Sequence, residues 1–166
     1  MLRAKPQDLT LGVVGVGNVG SLVVEYARRW GFKVLACDPP REEREGGDFC
    51  SFDKIASLSD IITLHTPLDS TTKHLINESV IQSLIPHCII LNASRGGVVD
   101  NLAVSRSGHP YIFDVWEQEP NILPDVLQGA ALATPHIAGY SIQGKANATA
   151  MSVQTLARHY KLPLTE

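Results

Sequence analysis

The sequence predicts an α/β protein, a Rossmann-type doubly wound parallel sheet with helices on both faces in a single domain. Three observations carry that expectation. Short apolar runs alternate with helical patterns along the chain. Most of those runs are apolar at nearly every position, as strands covered on both faces are. A glycine-rich turn joins the first run to the first helical stretch. The chain has 166 residues, 44% hydrophobic and 19% charged, enough for one domain with a real core.

The elements follow in order. "LTLGVVG" (Leu9 to Gly15) is a short apolar run closed by glycine, a buried strand. "SLVVEYARRWG" sets Leu22, Tyr26 and Trp30 four apart, a helical stripe ended by Gly31. "FKVLACD" returns to strand and "DKIASL" makes a short helix. "DIITLH" is the third strand. "NESVIQSLIPH" is a helix with Asn77 as its N-cap and Pro86 beyond its end. "CIILNAS", "HPYIFDV" and the weaker "AALATPH" supply strands four to six. "IQGKANATAMSVQTLARHYKL" is one long closing helix.

Composition narrows the function classes. A net charge of -3 gives no reason to expect a nucleic-acid or anionic-membrane partner. No apolar run reaches the length of a membrane span. "MLRAKPQDLTLG" lacks the apolar core of a signal peptide, so a cytoplasmic location is the expectation. Cys37, Cys50 and Cys88 have no CxxC spacing and read as core residues. The six histidines are scattered, and no metal constellation is visible.

In a doubly wound sheet, ligands gather at the carboxyl ends of the strands. The first strand ends in "GVGNVG", with Asp38 closing the second. Gly15 permits the tight turn, Gly17 lets a pyrophosphate approach the backbone, and Gly20 lets the helix pack on the sheet. Free amides near Asn18 and Val19 would hold the phosphates. Asp38 would accept from the adenosine ribose hydroxyls and favour NAD over NADP, with Arg41 a mild contrary signal. The third strand ends in "HTP", the fourth in "NASRGG" with Ser94 and Arg95. The fifth ends in "DVWEQEP" with Asp114, Glu117 and Glu119, and the sixth in His136.

The set "GVGNVG", "HTPL", "NASRGGVVD", "DVWEQEP" and "PHIAGYS" resembles the nucleotide-binding domain of the D-isomer-specific 2-hydroxyacid dehydrogenases. The resemblance covers nearly the whole chain. It implies hydride transfer between C2 of a 2-hydroxy acid and NAD. By motif position it makes His136 the general acid/base, Glu119 the carboxylate that orients it, and Arg95 the fork that holds the substrate carboxylate. Glu117 is the rival to Glu119, which is preferred because the motif's acid directly precedes its proline. Asp114 and Gly139 would hold the cofactor carboxamide. Thr66 and the Ala93, Ser94 and Arg95 turn would line the cofactor groove, and Tyr140 would touch substrate. "CDPPR" and "HIAGYSIQGKANATAMSVQ" point within the family to a small phosphorylated 2-hydroxy acid as substrate, and a homodimer is the expected assembly. A phosphoglycerate-type dehydrogenase and a stand-alone, non-catalytic NAD-binding module stay open as alternatives.

Two departures from the family pattern stand out. Family members carry a second domain that supplies half of the substrate site. These 166 residues are expected to form one NAD-binding domain excised from such an enzyme, without its substrate domain and inactive alone. The stretch from Arg95 to Asp114 is also several residues shorter than the pattern, with room for one or two helical turns.

Overall fold

A computed structural model describes residues 4–163. A short 3₁₀ turn at Pro6–Asp8 leads into strand β1, Thr10–Val14. Helix α1 (Asn18–Arg29) follows, then β2 (Lys33–Cys37), α2 (Pro39–Glu45), α3 (Phe52–Leu58) and β3 (Ile61–Leu64). The chain continues through α4 (Glu78–Ser83), β4 (Ile89–Asn92), α5 (Asn101–Ser107) and β5 (Tyr111–Phe113). Helix α6 (Pro124–Gly129), β6 (Leu132–Ala133) and α7 (Ile142–Tyr160) complete it.

The six strands form one sheet in the order β2-β1-β3-β4-β5-β6, and each neighbouring pair is parallel. The chain leaves β1 for β2 on one side and returns to β3 on the other. The strand order therefore reverses between β1 and β3, the place where such sheets open a ligand crevice. The register sets Val14, the last residue of β1, beside Cys37 and Leu64. Residues just past these three strands thus emerge side by side.

Alternation along β1 divides the core between the two faces. Leu11 and Val13 pack with Val24 and Ala27 of α1. Val14 packs with Ile55 of α3 in a larger cluster that also takes in Ile62, Ile90, Phe113 and Trp116. Gly12 shares that second face, and a Cβ on it would lie 2.6 Å from Ile55. The glycine therefore lets α3 lie close against the centre of the sheet.

By compactness the chain divides into residues 1–135 and residues 136–166. The first unit holds the sheet and α1 to α6. The second holds α7, whose first turn is capped by Ser141, its hydroxyl accepting from the amide of Gly144.

The structure differs from the sequence expectations at several elements. Helix α1 forms, but Leu22, Tyr26 and Trp30 lie outside, 51%, 51% and 70% exposed. The face toward the sheet is Gly20, Val24 and Ala27, small residues that allow a close approach. Helix α4 stops at Ser83, ahead of the expected end, because Ile85 precedes Pro86 and is disfavoured in helical geometry. Asn77 caps it as expected, accepting from the amide of Val80 at 3.0 Å. Helices α2 and α6 carry no apolar periodicity and were not expected. The short connection after Arg95 closes without difficulty. Two turns of α5 end at Gly108, with φ +78°, and β5 still pairs with β4 from Tyr111.

Candidate active site

At the first turn, Gly15 takes φ +84° and donates its amide to the carbonyl of Cys37 at 2.9 Å. A Cβ there would sit 2.7 Å from the backbone of His65. A Cβ on Gly20 would stand 1.9 Å from the carbonyl oxygen of Gly15. Both glycines are therefore required by the protein's own packing. Gly17 differs, since a Cβ on it meets nothing within 4 Å. It is the N-cap of α1 and has no side chain to cap the helix. Asn18 and Val19 are exposed beside it. The opening amides of a twelve-residue helix thus face an open surface, which fits a bound anion.

Asp38 has a structural task that the sequence reading missed. It is the N-cap of α2, accepting from the amide of Arg41 at 3.0 Å, and its other oxygen accepts from the amide of Val16 at 2.7 Å. The carboxylate so ties the second strand end to the glycine turn. Each oxygen keeps a lone pair for a further donor. Arg41 is turned onto the same turn. Its Nη1 donates to the carbonyl of Val16 and the hydroxyl of Ser21, and its Nε donates to Glu45 at 2.8 Å. A cleft of about 410 Å³ runs past Gly17, Asn18, Ser21 and Arg41.

At the end of β3, His65 and Thr66 lie beside the glycine turn. The His65 ring is within 3.0 Å of the Thr63 hydroxyl, and burial holds its pKa below the usual histidine value. Thr66 Oγ1 is buried and has no hydrogen-bond partner in the protein. A buried hydroxyl without a partner at the mouth of a nucleotide crevice suits a contact to a bound cofactor.

The loop after β4 is organised by Asn92, fully buried at the strand end. Its Oδ1 accepts from the amide and hydroxyl of Ser94, and its Nδ2 donates to the carbonyl of Arg95 at 2.9 Å. Arg95 is thereby held at the surface with its guanidinium exposed, and its Nη1 donates to the carbonyl of Ser94. Gly96 lies against the next loop, where a Cβ would come within 2.0 Å of Trp116 backbone.

After β5, Asp114 is buried and accepts from the Thr134 hydroxyl. Trp116 donates its indole N–H to the Thr134 carbonyl at 3.0 Å and its amide to Glu119. Glu117 and Glu119 lie in this one loop with different partners. Glu117 is engaged with the His74 ring at 2.7 Å and the Asn101 amide at 3.0 Å. The first unit thus brings Gly15, Gly17, Gly20, Asp38, Thr66, Ala93, Ser94, Arg95, Asp114 and Glu119 to the carboxyl ends of its strands.

His136, Gly139 and Tyr140 belong to the second unit. There His136 has φ +55° and is exposed, and the amide of Tyr140 donates to the carbonyl of Ile137 at 2.8 Å. Asn92, His74 and Asn101 were missed by sequence reasoning. Only Asn92 carried a signal, a polar residue ending an apolar strand.

A cavity of about 530 Å³ lies elsewhere, between α4 and α5, and is lined by Ile81, Leu84, Arg106 and His109. It contains none of the strand-end residues, so its size alone does not make it the site. Among the described residues no group of His, Cys, Asp and Glu could hold a metal ion. No helix among them is long and apolar enough to cross a membrane.

Residues 1–138 match the family described as D-isomer specific 2-hydroxyacid dehydrogenase, NAD binding domain. Over 163 residues the chain is 44% identical to an erythronate-4-phosphate dehydrogenase of Ectopseudomonas mendocina, covering 95% of this chain and 43% of that protein. It is 43% identical over 171 residues to the protein of the same name from Bacteroides thetaiotaomicron, covering 97% and 49%. Among solved structures it resembles D-lactate dehydrogenase from Aquifex aeolicus, complexed with NAD and lactic acid. That likeness has TM-score 0.80 and 29% identity, over 96% of this chain and 56% of the other. The chain spans about half the length of the relatives it matches. It belongs to the D-isomer specific 2-hydroxyacid dehydrogenase family and carries that family's NAD binding domain.

Proposed function

We propose that these 166 residues are a single NAD-binding domain of an erythronate-4-phosphate dehydrogenase, whose substrate domain lies in the other half of the relatives' length. The reaction oxidises 4-phospho-D-erythronate to 2-oxo-3-hydroxy-4-phosphobutanoate, a step toward pyridoxal phosphate, in the cytoplasm and in a homodimer. The observation that carries the reading is identity of 43–45% across almost the whole chain to relatives of that name.

NAD, when bound, accepts the hydride from C2. In this reading, the amides at Gly17, Asn18 and Val19 hold its pyrophosphate, in the open space beside the α1 start. Asp38 accepts from the adenosine ribose hydroxyls with its remaining lone pairs and repels a 2′-phosphate. Arg41 does not oppose this, since its Nε and Nη1 are committed to Glu45, Val16 and Ser21. Thr66, Ala93 and Ser94 line the groove, and the orphan hydroxyl of Thr66 supports a contact there. Asp114 and Gly139 hold the carboxamide.

Arg95 binds the substrate carboxylate as a planar fork and polarises the reacting oxygen. Its exposure and the Asn92 scaffold beneath it support that role. His136 takes the proton from the C2 hydroxyl, Glu119 orients and stabilises the imidazolium, and Tyr140 contacts substrate. The roles of His136, Gly139 and Tyr140 rest on their order in the motif.

The test is turnover by the full-length protein, followed as NADH formation, with 4-phosphoerythronate against 3-phosphoglycerate and D-lactate. We expect kcat/KM to favour 4-phosphoerythronate by about 100-fold, because a site built for the phosphate leaves polar groups unpaired when it is absent or displaced. Faster use of either competitor would sink the substrate assignment. Calorimetry with both nucleotides should show NAD binding at least about tenfold tighter than NADP, because the 2′-phosphate adds nearly two negative charges beside Asp38.

A further inference from the structure

The loops after β3, β4 and β5 are joined by a side-chain network that lies behind Arg95 and Glu119. His74, in the β3 loop, holds φ +49° and donates its amide to the carbonyl of Gly97 at 2.8 Å. Its ring Nε2 is 2.7 Å from Glu117 Oε1 in the β5 loop, and its Nδ1 is 4.0 Å from Asp100 at the start of α5. The other oxygen of Glu117 accepts from the amide of Asn101, and the amide of Glu117 donates to Asn101 Oδ1, both at 3.0 Å. Asn101 is buried, and its Nδ2 donates to the carbonyls of Gly96 and Val99. Three loops are thus closed on one another, one residue away from Arg95 and two away from Glu119.

We propose that His74 and Glu117 are positioning residues for the reaction, fixing the Arg95 turn and the Glu119 loop in their working relation. The proposal rests on the roles given to Arg95 and Glu119 above. The geometry supports it in two ways. Gly96 leaves no room between its own loop and Trp116, so the two loops lie backbone against backbone there. The Asn101 side chain bonds to Gly96 and Val99, and the His74 amide to Gly97, beside the bonds that Ile76 makes to Val98 and Asp100, so the network adds to what holds the backbone after Arg95. A left-handed backbone at a non-glycine residue persists where its surroundings over-determine it, as they do at His74.

The network touches neither the glycine turn nor Asp38, and it holds the Arg95 loop from Gly96 onward, after Ala93 and Ser94, so most of the cofactor contacts proposed above separate from loop positioning in experiment. In the full-length protein, His74→Ala should lower kcat for 4-phosphoerythronate by about 10–100-fold, the scale of a misplaced reacting group, with NAD affinity within about twofold of wild type. His74→Gln carries the same backbone burden and keeps a hydrogen-bonding side chain toward Glu117, so it should recover most of kcat. Equal losses in the two variants, or a loss shared with NAD affinity, would overturn the positioning role.

A second arm needs no substrate and separates this proposal from the functional reading. Amide hydrogen exchange in the 166-residue chain should accelerate at Val98, Val99 and Asn101 in His74→Ala, while the amides of α1 stay at their wild-type rates. Unchanged exchange at those three amides overturns the clamp whether or not 4-phosphoerythronate is the substrate. Wild-type protein inactive on that acid, with exchange altered as described, would overturn the functional reading and leave the clamp standing.

Discussion

Gly17 and Gly20 lie three positions apart in one turn and meet opposite demands. A Cβ on Gly20 collides with the carbonyl of Gly15 at 1.9 Å, whereas a Cβ on Gly17 touches nothing within 4 Å. Gly20→Ala should therefore destabilise the fold by about 1–3 kcal/mol, the range for overpacking. Gly17→Ala should keep the thermal midpoint of wild type and lose NAD affinity by calorimetry, because its free space is the space a pyrophosphate would use. A Gly17 variant that binds NAD as wild type does would remove the phosphate site from this turn. His65 beside them gives a pH test. Burial holds its pKa below the usual histidine value, so between the two values the unfolded chain binds more protons than the folded one. Stability then rises with pH up to about 6.5, the unperturbed value, and falls on acidification below it. Urea midpoints of wild type should drop more steeply between about pH 7 and pH 5 than those of His65→Gln. Parallel profiles would show that His65 is as easily protonated in the fold as outside it.

Helix α1 shows what periodicity can and cannot tell. Leu22, Tyr26 and Trp30 repeat every fourth residue, and so do Gly20 and Val24, with Ala27 next on the same face. Both sets satisfy the helical period, so the helix was legible and its orientation was not. The sheet chose the small set, because Gly20 has to reach the Gly15 carbonyl and larger residues would hold the axis away. Trp30→Ser should consequently shift stability by no more than about 0.5 kcal/mol. Phe113→Ala should cost about 3–5 kcal/mol, since Phe113 is fully buried between Tyr111 at 5.0 Å and Trp116 at 5.6 Å. Comparable losses in the two variants, read from denaturant midpoints, would contradict the orientation of α1. The candidate site was legible to a similar depth. Asp38, Arg95 and Glu119 stood out as candidates because each follows a strand or precedes a motif proline. The second task of Asp38, as the cap of α2, lay hidden in "PPREERE", whose helix buries no residue and so leaves no apolar pattern. His74 and Asn101 were invisible because their partners stand 43 and 16 residues away, at Glu117.

The whole chain yields one further test, which concerns what 166 residues do alone. Residues 1–135 close six parallel strands around their own two-sided core, with the glycine turn, Asp38 and Thr66 set at the reversal of strand order. Among the described residues every strand pairs with a neighbour from this chain, so the chain should fold and bind NAD. Turnover is a different matter. The chain aligns with only 43% of the length of the Ectopseudomonas mendocina relative. On the reading proposed here, the rest of that length supplies the substrate half-site and the closure that excludes water. Holding the reacting groups together is worth about 7–11 kcal/mol of barrier in well-oriented systems, and most of it should vanish with the other half. NADH formation from 4-phosphoerythronate should therefore fall by about 1,000-fold or more when this chain is measured beside that relative, while calorimetry still detects NAD binding. Activity of the 166-residue chain within about tenfold of the relative, a gap of only 1.4 kcal/mol, would mean that the strand ends of this unit suffice for catalysis. The division of labour between two domains would then be wrong, and Arg95 would have to hold the substrate without help from beyond this chain.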